Sequence, residues 1–335
     1  MARAHVHIVS PASARENNGN WQTASRWMRH LARAYRVTIG PAWRPGDAVP
    51  DLLIALHARR SAAALAAFTE AHPTRPALLV LTGTDLYRDI HDDATARASL
   101  ERAHALVVLQ PRGVDELPPA LRHKAYVIYQ SAPRLPPARP HAGMPLDVVM
   151  IGHLRAEKDP QTFMDAARLI RTPGVRLLHI GAALDADLGR RARETEAAAP
   201  AYRWLGALPH MATRRRLRRC HAMVIASRME GGANVIIEAV TSGVPVLASR
   251  IAGNVGMLGE DYAGFFTPGD AQALADLIGR SVRDHGFIDR LRRQCAARAA
   301  LFSPALERAR LLDLVDNLLS RPTRAPEPSD ERKHT

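Results

Sequence analysis

The run Glu230-Gly231-Gly232-Ala233-Asn234-Val235-Ile236-Ile237-Glu238 sets two carboxylates on either side of a Gly-Gly step and the start of an apolar helix. Gly231 and Gly232 let the backbone come close to a ligand. A helix starting near Ala233 aims unpaired N–H groups, including those of Asn234 and Val235, at an anion such as a diphosphate. Glu238 lies four residues after Asn234, so the two share a helical face, while Glu230 stands upstream on the entering loop. Acceptors for sugar hydroxyls therefore flank an anion cradle, which is what a sugar nucleotide requires. The same spacing also suits a plain turn and a helix with Glu238 in solvent; spacing alone leaves both readings open.

These residues need a strand and a helix to hold them. Short β-rich runs occur at 5–10, 35–40, 51–56, 77–83, 104–110 and 125–131, with helix-like segments between several of them. Leu52-Leu53-Ile54-Ala55-Leu56 is continuously apolar, as expected where helices cover both faces of a parallel sheet. Proline density from Ser131 to Pro145 forbids regular structure and marks a linker. The pattern restarts at 147–154, 175–182, 202–207, 222–227, 245–250 and 264–267, so Glu230 follows a strand end, where open α/β sheets bind ligands. Ser303-Pro304 opens a last helix running to about Leu319. The predicted organisation is α/β: two doubly wound domains at 1–140 and 141–302, a helix at 303–320 crossing back to the first, and a polar disordered tail at 321–335.

Length and composition agree with two buried cores: 335 residues, 47% hydrophobic and 24% charged. The net charge of +13 favours anionic ligands without naming one. Cys220 and Cys295 are too few for a disulfide framework and lack metal-ligand spacing, which fits a reducing cytoplasm. The chain enters its first strand almost at once, without a long apolar leader, and no run of about 18 apolar residues is present, so no stable membrane insertion is expected.

Several segments together resemble the retaining GT-B glycosyltransferases of family 4. Ser227 to Ala239 followed by Gly243-Val244-Pro245-Val246 resembles the family's E-x7-E signature, and Ile151-Gly152-His153-Leu154-Arg155-Ala156-Glu157-Lys158-Asp159-Pro160 its strand-loop-helix G-R-L-x-x-E-K. Trp204-Leu205-Gly206 is similar to its F-x-G, and Pro50 to His57 and Thr82-Gly83-Thr84-Asp85-Leu86 to segments of its N-terminal domain. The resemblance implies a GT-B fold, two Rossmann-like domains facing a deep cleft, with a UDP-sugar in the C-terminal one. It further implies that Lys158 neutralises the diphosphate, backbone N–H groups from Gly232 to Val235 bind it, Glu238 accepts from the ribose and Glu230 from the sugar. Gly152, His153, Arg155, Gly206, Leu208, Gly231, Ala233 and Asn234 complete the implied donor site. Lys158, His57 and Glu230 are the catalytic candidates, and no metal or cofactor is implied beyond the UDP-sugar co-substrate. His153 departs from the family's usual Arg, so either Arg155 supplies the charge or the diphosphate is held more weakly.

Arg15 to Ala24 lies between the first strand and a helix starting near Trp21 to Thr23, and it is rich in amides: Asn17, Asn18 and Asn20 around Gly19. An acceptor site and an Asn/Gly turn with a helix cap fit this chemistry equally. With Leu56-His57-Ala58-Arg59-Arg60-Ser61, Leu81 to Tyr87 and Gly152 to Pro160, it resembles the selenosugar synthase subfamily of selenoneine biosynthesis. That resemblance implies transfer of GlcNAc or Glc from its UDP form onto selenophosphate, forming a C–Se bond. Asn17, Asn18, Gly19, Asn20, Thr23, His57, Arg59 and Thr84 are then the acceptor-side residues, although a lone His such as His57 is also suited to a structural hydrogen bond. Two alternatives stay open: a family 4 enzyme with a hydroxyl acceptor, and a non-catalytic protein binding sugar nucleotides or nucleic acid. Arg214-Arg215-Arg216-Leu217-Arg218-Arg219 lacks interleaved aromatics and reads as a solvated helix face rather than a nucleic-acid site. Asp92-Asp93 reads as a helix start rather than a metal site.

Overall fold

The computed structural model describes residues 3–13, 19–136, 138 and 145–320, and Asn17, Asn18 and the tail at 321–335 lie outside them. The chain divides into two compact units, the first reaching Ile128 and resuming at Glu307, the second spanning Tyr129–Leu306.

The first unit holds strands β1 (His5–Val9), β2 (Arg36–Gly40), β3 (Leu52–Leu56), β4 (Ala77–Leu81), β5 (Ala105–Val108) and β6 (Ala125–Val127). They form one parallel sheet in the order β2-β1-β3-β4-β5-β6. Alternation along each strand sends successive side chains to opposite faces. Leu52, Ile54, Leu56, Leu78 and Val80 pack with Trp27 and Leu31 on one face. Leu53, Ala55, Leu79 and Leu81 pack with Leu65 and Phe68 on the other. The covering helices are α1 (Gly19–Leu31), α2 (Ala62–Ala71), α3 (Ile90–Asp92) and α4 (Ala94–Arg102). Asp93 starts α4 by accepting the N–H groups of Thr95 and Ala96.

The second unit carries β7 (Leu146–Ile151), β8 (Val175–Ile180), β9 (Tyr202–Trp204), β10 (Ala222–Ile225), β11 (Val246–Ser249) and β12 (Phe265–Phe266), again parallel, in the order β12-β11-β10-β7-β8-β9. Its helices are α5 (Pro160–Leu169), α6 (Ala186–Ala198), α7 (His210–Leu217), α8 (Asn234–Thr241), α9 (Ala252–Leu258), α10 (Ala271–Arg283) and α11 (His285–Arg298). The final helix, α12 (Pro304–Ser320), returns to the first unit, where Leu311, Leu314 and Val315 join the Trp27 face. Buried Glu307 accepts from Arg26 Nε at 2.9 Å and from the Trp27 indole at 2.9 Å.

The units part at Ile128, ahead of the boundary expected at 140. Backbone hydrogen bonds explain the shift, because the described residues of the proline-rich stretch are tied to the second unit. Ala132 N–H donates to Phe302 O, Leu135 N–H to Thr241 O and Ala138 N–H to Arg218 O.

Candidate functional site

In each sheet the strand order reverses at one point, the place beside which open α/β sheets bind ligands at the carboxyl ends of their strands. In the second unit the reversal lies between β7 and β10. The loop after β7 supplies Gly152, His153, Arg155 and Lys158, and the loop after β10 supplies Ser227 to Ala233. Three contacts join the loops: Lys158 Nζ donates to Glu230 Oε1 at 2.5 Å, Arg228 Nη2 meets Asp159 Oδ2 at 3.0 Å, and Arg228 N–H donates to Glu157 O at 2.9 Å. Asp159 holds the left-handed region at φ 45 as it caps α5. The β7 loop also rests on β8, because Gly181 has no side chain. A Cβ there would lie 1.9 Å from Gly152 O.

Glu230 sits 8% exposed, with Ser227 Oγ donating to the same Oε1 at 2.6 Å. Among the described residues nothing donates to Oε2. Glu238, on α8 whose N-cap is Ala233, accepts from His210 Nε2 at 2.5 Å through its own Oε1. The hydrogen bond to Glu238 raises the pKa of His210 against the opposing effect of burial. Beside it Arg214 is 2% exposed, donating to Pro133 O at 2.7 Å while its Nε has no partner among the described residues. The basic cluster is therefore not a uniformly solvated face, as the sequence suggested. One turn of α7 brings Arg214 inward towards Glu238, and burial lowers its pKa against that carboxylate's pull.

His153 Nδ1 accepts the Ala182 N–H at 3.0 Å, so the ring proton is on Nε2. Burial, with Arg155 and Lys158 nearby, lowers its pKa, and the ring is a neutral donor at neutral pH. It cannot replace an arginine's charge; exposed Arg155 and half-buried Lys158 carry it in this loop. Gly206 adopts φ 65, a left-handed turn that puts its carbonyl against the Gly181 N–H at 2.8 Å. Leu208, two residues on, is half-buried.

In the first unit the reversal lies between β1 and β3, with His57 at the carboxyl end of β3. His57 is buried at φ 75, a conformation costly for a side chain with a Cβ. Its Nδ1 accepts the Arg60 N–H at 3.3 Å, and Nε2 meets Thr84 Oγ1 at 3.1 Å. Burial lowers its pKa, with Asp85 opposing. Fully buried Asp85 accepts N–H groups of Ala58, Thr82 and Gly83 at 2.8–2.9 Å, so one carboxylate fixes the turns after β3 and β4. Arg59 Nε donates to Asp89 at 3.0 Å. Helix α1 starts at Gly19 rather than near Trp21, so Asn20 is buried in its first turn and Thr23 Oγ1 donates to Gly19 O at 2.8 Å. Among the described residues no cluster of three or more His, Cys, Asp or Glu is set to hold a metal, and no helix is long and apolar enough to cross a membrane.

A model of the family glycosyl transferases group 1 matches residues 132–301, slightly more than half of the chain. Anabaena Alr3699/HepE, solved with UDP and glucose, is similar to this chain at 15% identity and TM-score 0.73, covering 94% of it and 100% of the relative. Sucrose-phosphate synthase from Thermosynechococcus elongatus is similar at 17% identity and TM-score 0.75, covering 95% and 100%. The lipopolysaccharide outer core galactosyltransferase WaaB is similar at 14% identity and TM-score 0.69, covering 93% and 99%. The two parallel sheets are those of the GT-B fold.

Proposed function

The chain belongs to the glycosyl transferases group 1 family, and from that premise we propose that it moves a hexose unit, GlcNAc or Glc, from a UDP-sugar to selenophosphate. The observation that carries the donor half is the joining of Lys158, Glu230 and the start of α8 at the reversal point of the second sheet. Lys158 is a point charge for the diphosphate, the α8 N–H groups add donors, and the open oxygens of Glu230 and Glu238 accept hydroxyls of sugar and ribose. The UDP and glucose held by the Anabaena relative support this choice of donor.

The acceptor half rests on the resemblance of Leu56 to Ser61, Leu81 to Tyr87 and Gly152 to Pro160 to selenosugar synthases. Asn17, Asn18, Gly19, Asn20, Thr23, Arg59 and Thr84 are the proposed acceptor-side groups, in a reducing cytoplasm and without a metal. His57, with both ring nitrogens engaged, acts by orienting the Thr84 hydroxyl. A selenium lone pair forms the C1–Se bond as the C1–O bond to the diphosphate breaks, and the electrons of that bond leave on UDP. Selenium is a ready nucleophile, so no separate general base is required.

Mass spectrometry of products from a panel of UDP-sugars with selenophosphate tests the reading. The expected outcome is UDP release with a selenium-bearing sugar. Turnover with hydroxyl acceptors and none with selenophosphate assigns the chain to the hydroxyl-acceptor enzymes instead. No UDP release with any acceptor, together with salt-sensitive RNA binding, points to a binding protein.

A further inference from the structure

We infer that Ser227, Ser249 and Asn254 form a buried positioning relay that fixes the rotamer of Glu230 and so sets recognition of the sugar half of the donor; this rests on the donor reading above. The relay crosses three elements. Asn254, fully buried on α9, donates from Nδ2 to Ser249 O at 2.9 Å and to Ser249 Oγ at 3.1 Å. Ser249, fully buried at the end of β11, donates its one hydroxyl proton to Ser227 O at 2.6 Å. Ser227, fully buried after β10, donates its own to Glu230 Oε1 at 2.6 Å. Every hydroxyl proton in the series is committed in one direction, towards the carboxylate.

Gly253 closes the arrangement from behind. A Cβ on it would lie 1.9 Å from Glu230 O and 3.1 Å from Glu230 Cβ, so α9 abuts the backbone of that residue. Ser227 and Lys158 both donate to Oε1, and among the described residues Oε2 accepts nothing, which leaves that oxygen turned to a ligand hydroxyl. Asn254 Oδ1 is buried without a partner among the described residues, a destabilising feature in a purely structural network. Ser227, Ser249 and Asn254 are positioning residues: they touch Glu230 or one another, not the donor.

Calorimetric titration of the full chain with UDP and with UDP-glucose or UDP-GlcNAc, whichever the wild type prefers, separates the sugar half from the nucleotide half. Ser227→Ala and Ser249→Ala are expected to keep UDP affinity within about two-fold while weakening UDP-sugar affinity, by about 10-fold for Ser227, which loses a hydrogen bond to a charged group, and by roughly 3- to 10-fold for Ser249, which loses one to the Ser227 carbonyl. Ser227→Thr, which keeps the hydroxyl, is expected to recover most of the loss. Glu230→Ala serves as the reference. If it abolishes the preference for UDP-sugar over UDP while the serine variants retain it, the relay is wrong and the donor reading stands. If Glu230→Ala leaves the preference intact, the role of Glu230 as a sugar ligand is wrong and the relay falls with it. Parallel weakening of UDP and UDP-sugar in the serine variants, with lowered thermal stability, also overturns the relay, because it marks a general packing role.

Discussion

Replacing Gly181 with alanine tests whether the loop after β7 is held in a working position by close approach to β8. The added methyl would lie 1.9 Å from Gly152 O, 2.5 Å from Gly152 C and 2.9 Å from His153 Cα, all backbone atoms that no rotamer change can clear. A carbon and a carbonyl oxygen rest at about 3.3 Å or more, so the Gly152–His153 segment must retreat by about 1.4 Å. That segment leads directly to Lys158, whose ammonium sits 2.5 Å from Glu230. A misplacement of about 1 Å costs roughly 100-fold in rate, which is about 2.7 kcal/mol of transition-state stabilisation. Overpacking at such a site costs about 1–3 kcal/mol of stability besides. Steady-state UDP release alongside thermal unfolding measures both, at a temperature where the variant is folded. Gly181→Ala with wild-type kcat/KM and wild-type Tm would refute the close-approach argument.

Two further outcomes follow from the second unit. Lys158→Ala removes the charge proposed to face the diphosphate and leaves buried Glu230 without its cation, so kcat/KM for the donor should fall by roughly 100-fold; near-wild-type turnover would count against the assignment. His210→Gln tests the pair with Glu238. The folded pKa of His210 is raised above 6.5, so its charge stabilises the fold fully below about pH 6.5 and loses that effect as pH climbs through the raised value. Because the His210 side chain is 47% exposed, solvent screening limits the effect to about 1 kcal/mol or less. The stability gap between wild type and variant should therefore be largest at low pH and close at alkaline pH, and a gap constant across pH 5–9 would contradict the pairing.

The strands were legible because both faces of each sheet are covered, which turns them into continuous apolar runs such as Leu52–Leu56 and Ala77–Leu81. Their predicted carboxyl ends ran past the paired residues, since Leu154, Ala226 and Ser227 are still buried yet belong to the loops after β7 and β10. Glu230, Glu238 and Lys158 could be singled out in the sequence because motif spacing is local. His210 was missed because it meets Glu238 across 28 residues of chain, a contact that only tertiary packing creates. Ser227 stood inside the quoted motif, three residues before Glu230, but nothing in its type announces a bond to that carboxylate. Arg214 reads as surface by composition, and the carbonyl of Pro133 that draws it inward lies 81 residues away. Proline density likewise signals irregular backbone, not which unit that backbone binds.

The central claim is that the second unit holds a sugar nucleotide through Glu238, in the second turn of α8. Calorimetric titration of UDP into wild type and Glu238→Ala tests it most directly. The account predicts saturable one-to-one binding by the wild type and a roughly 10- to 100-fold weaker affinity in the variant, the loss of one or two hydrogen bonds to a carboxylate. Equal affinities, or no binding of UDP by the wild type, would contradict it.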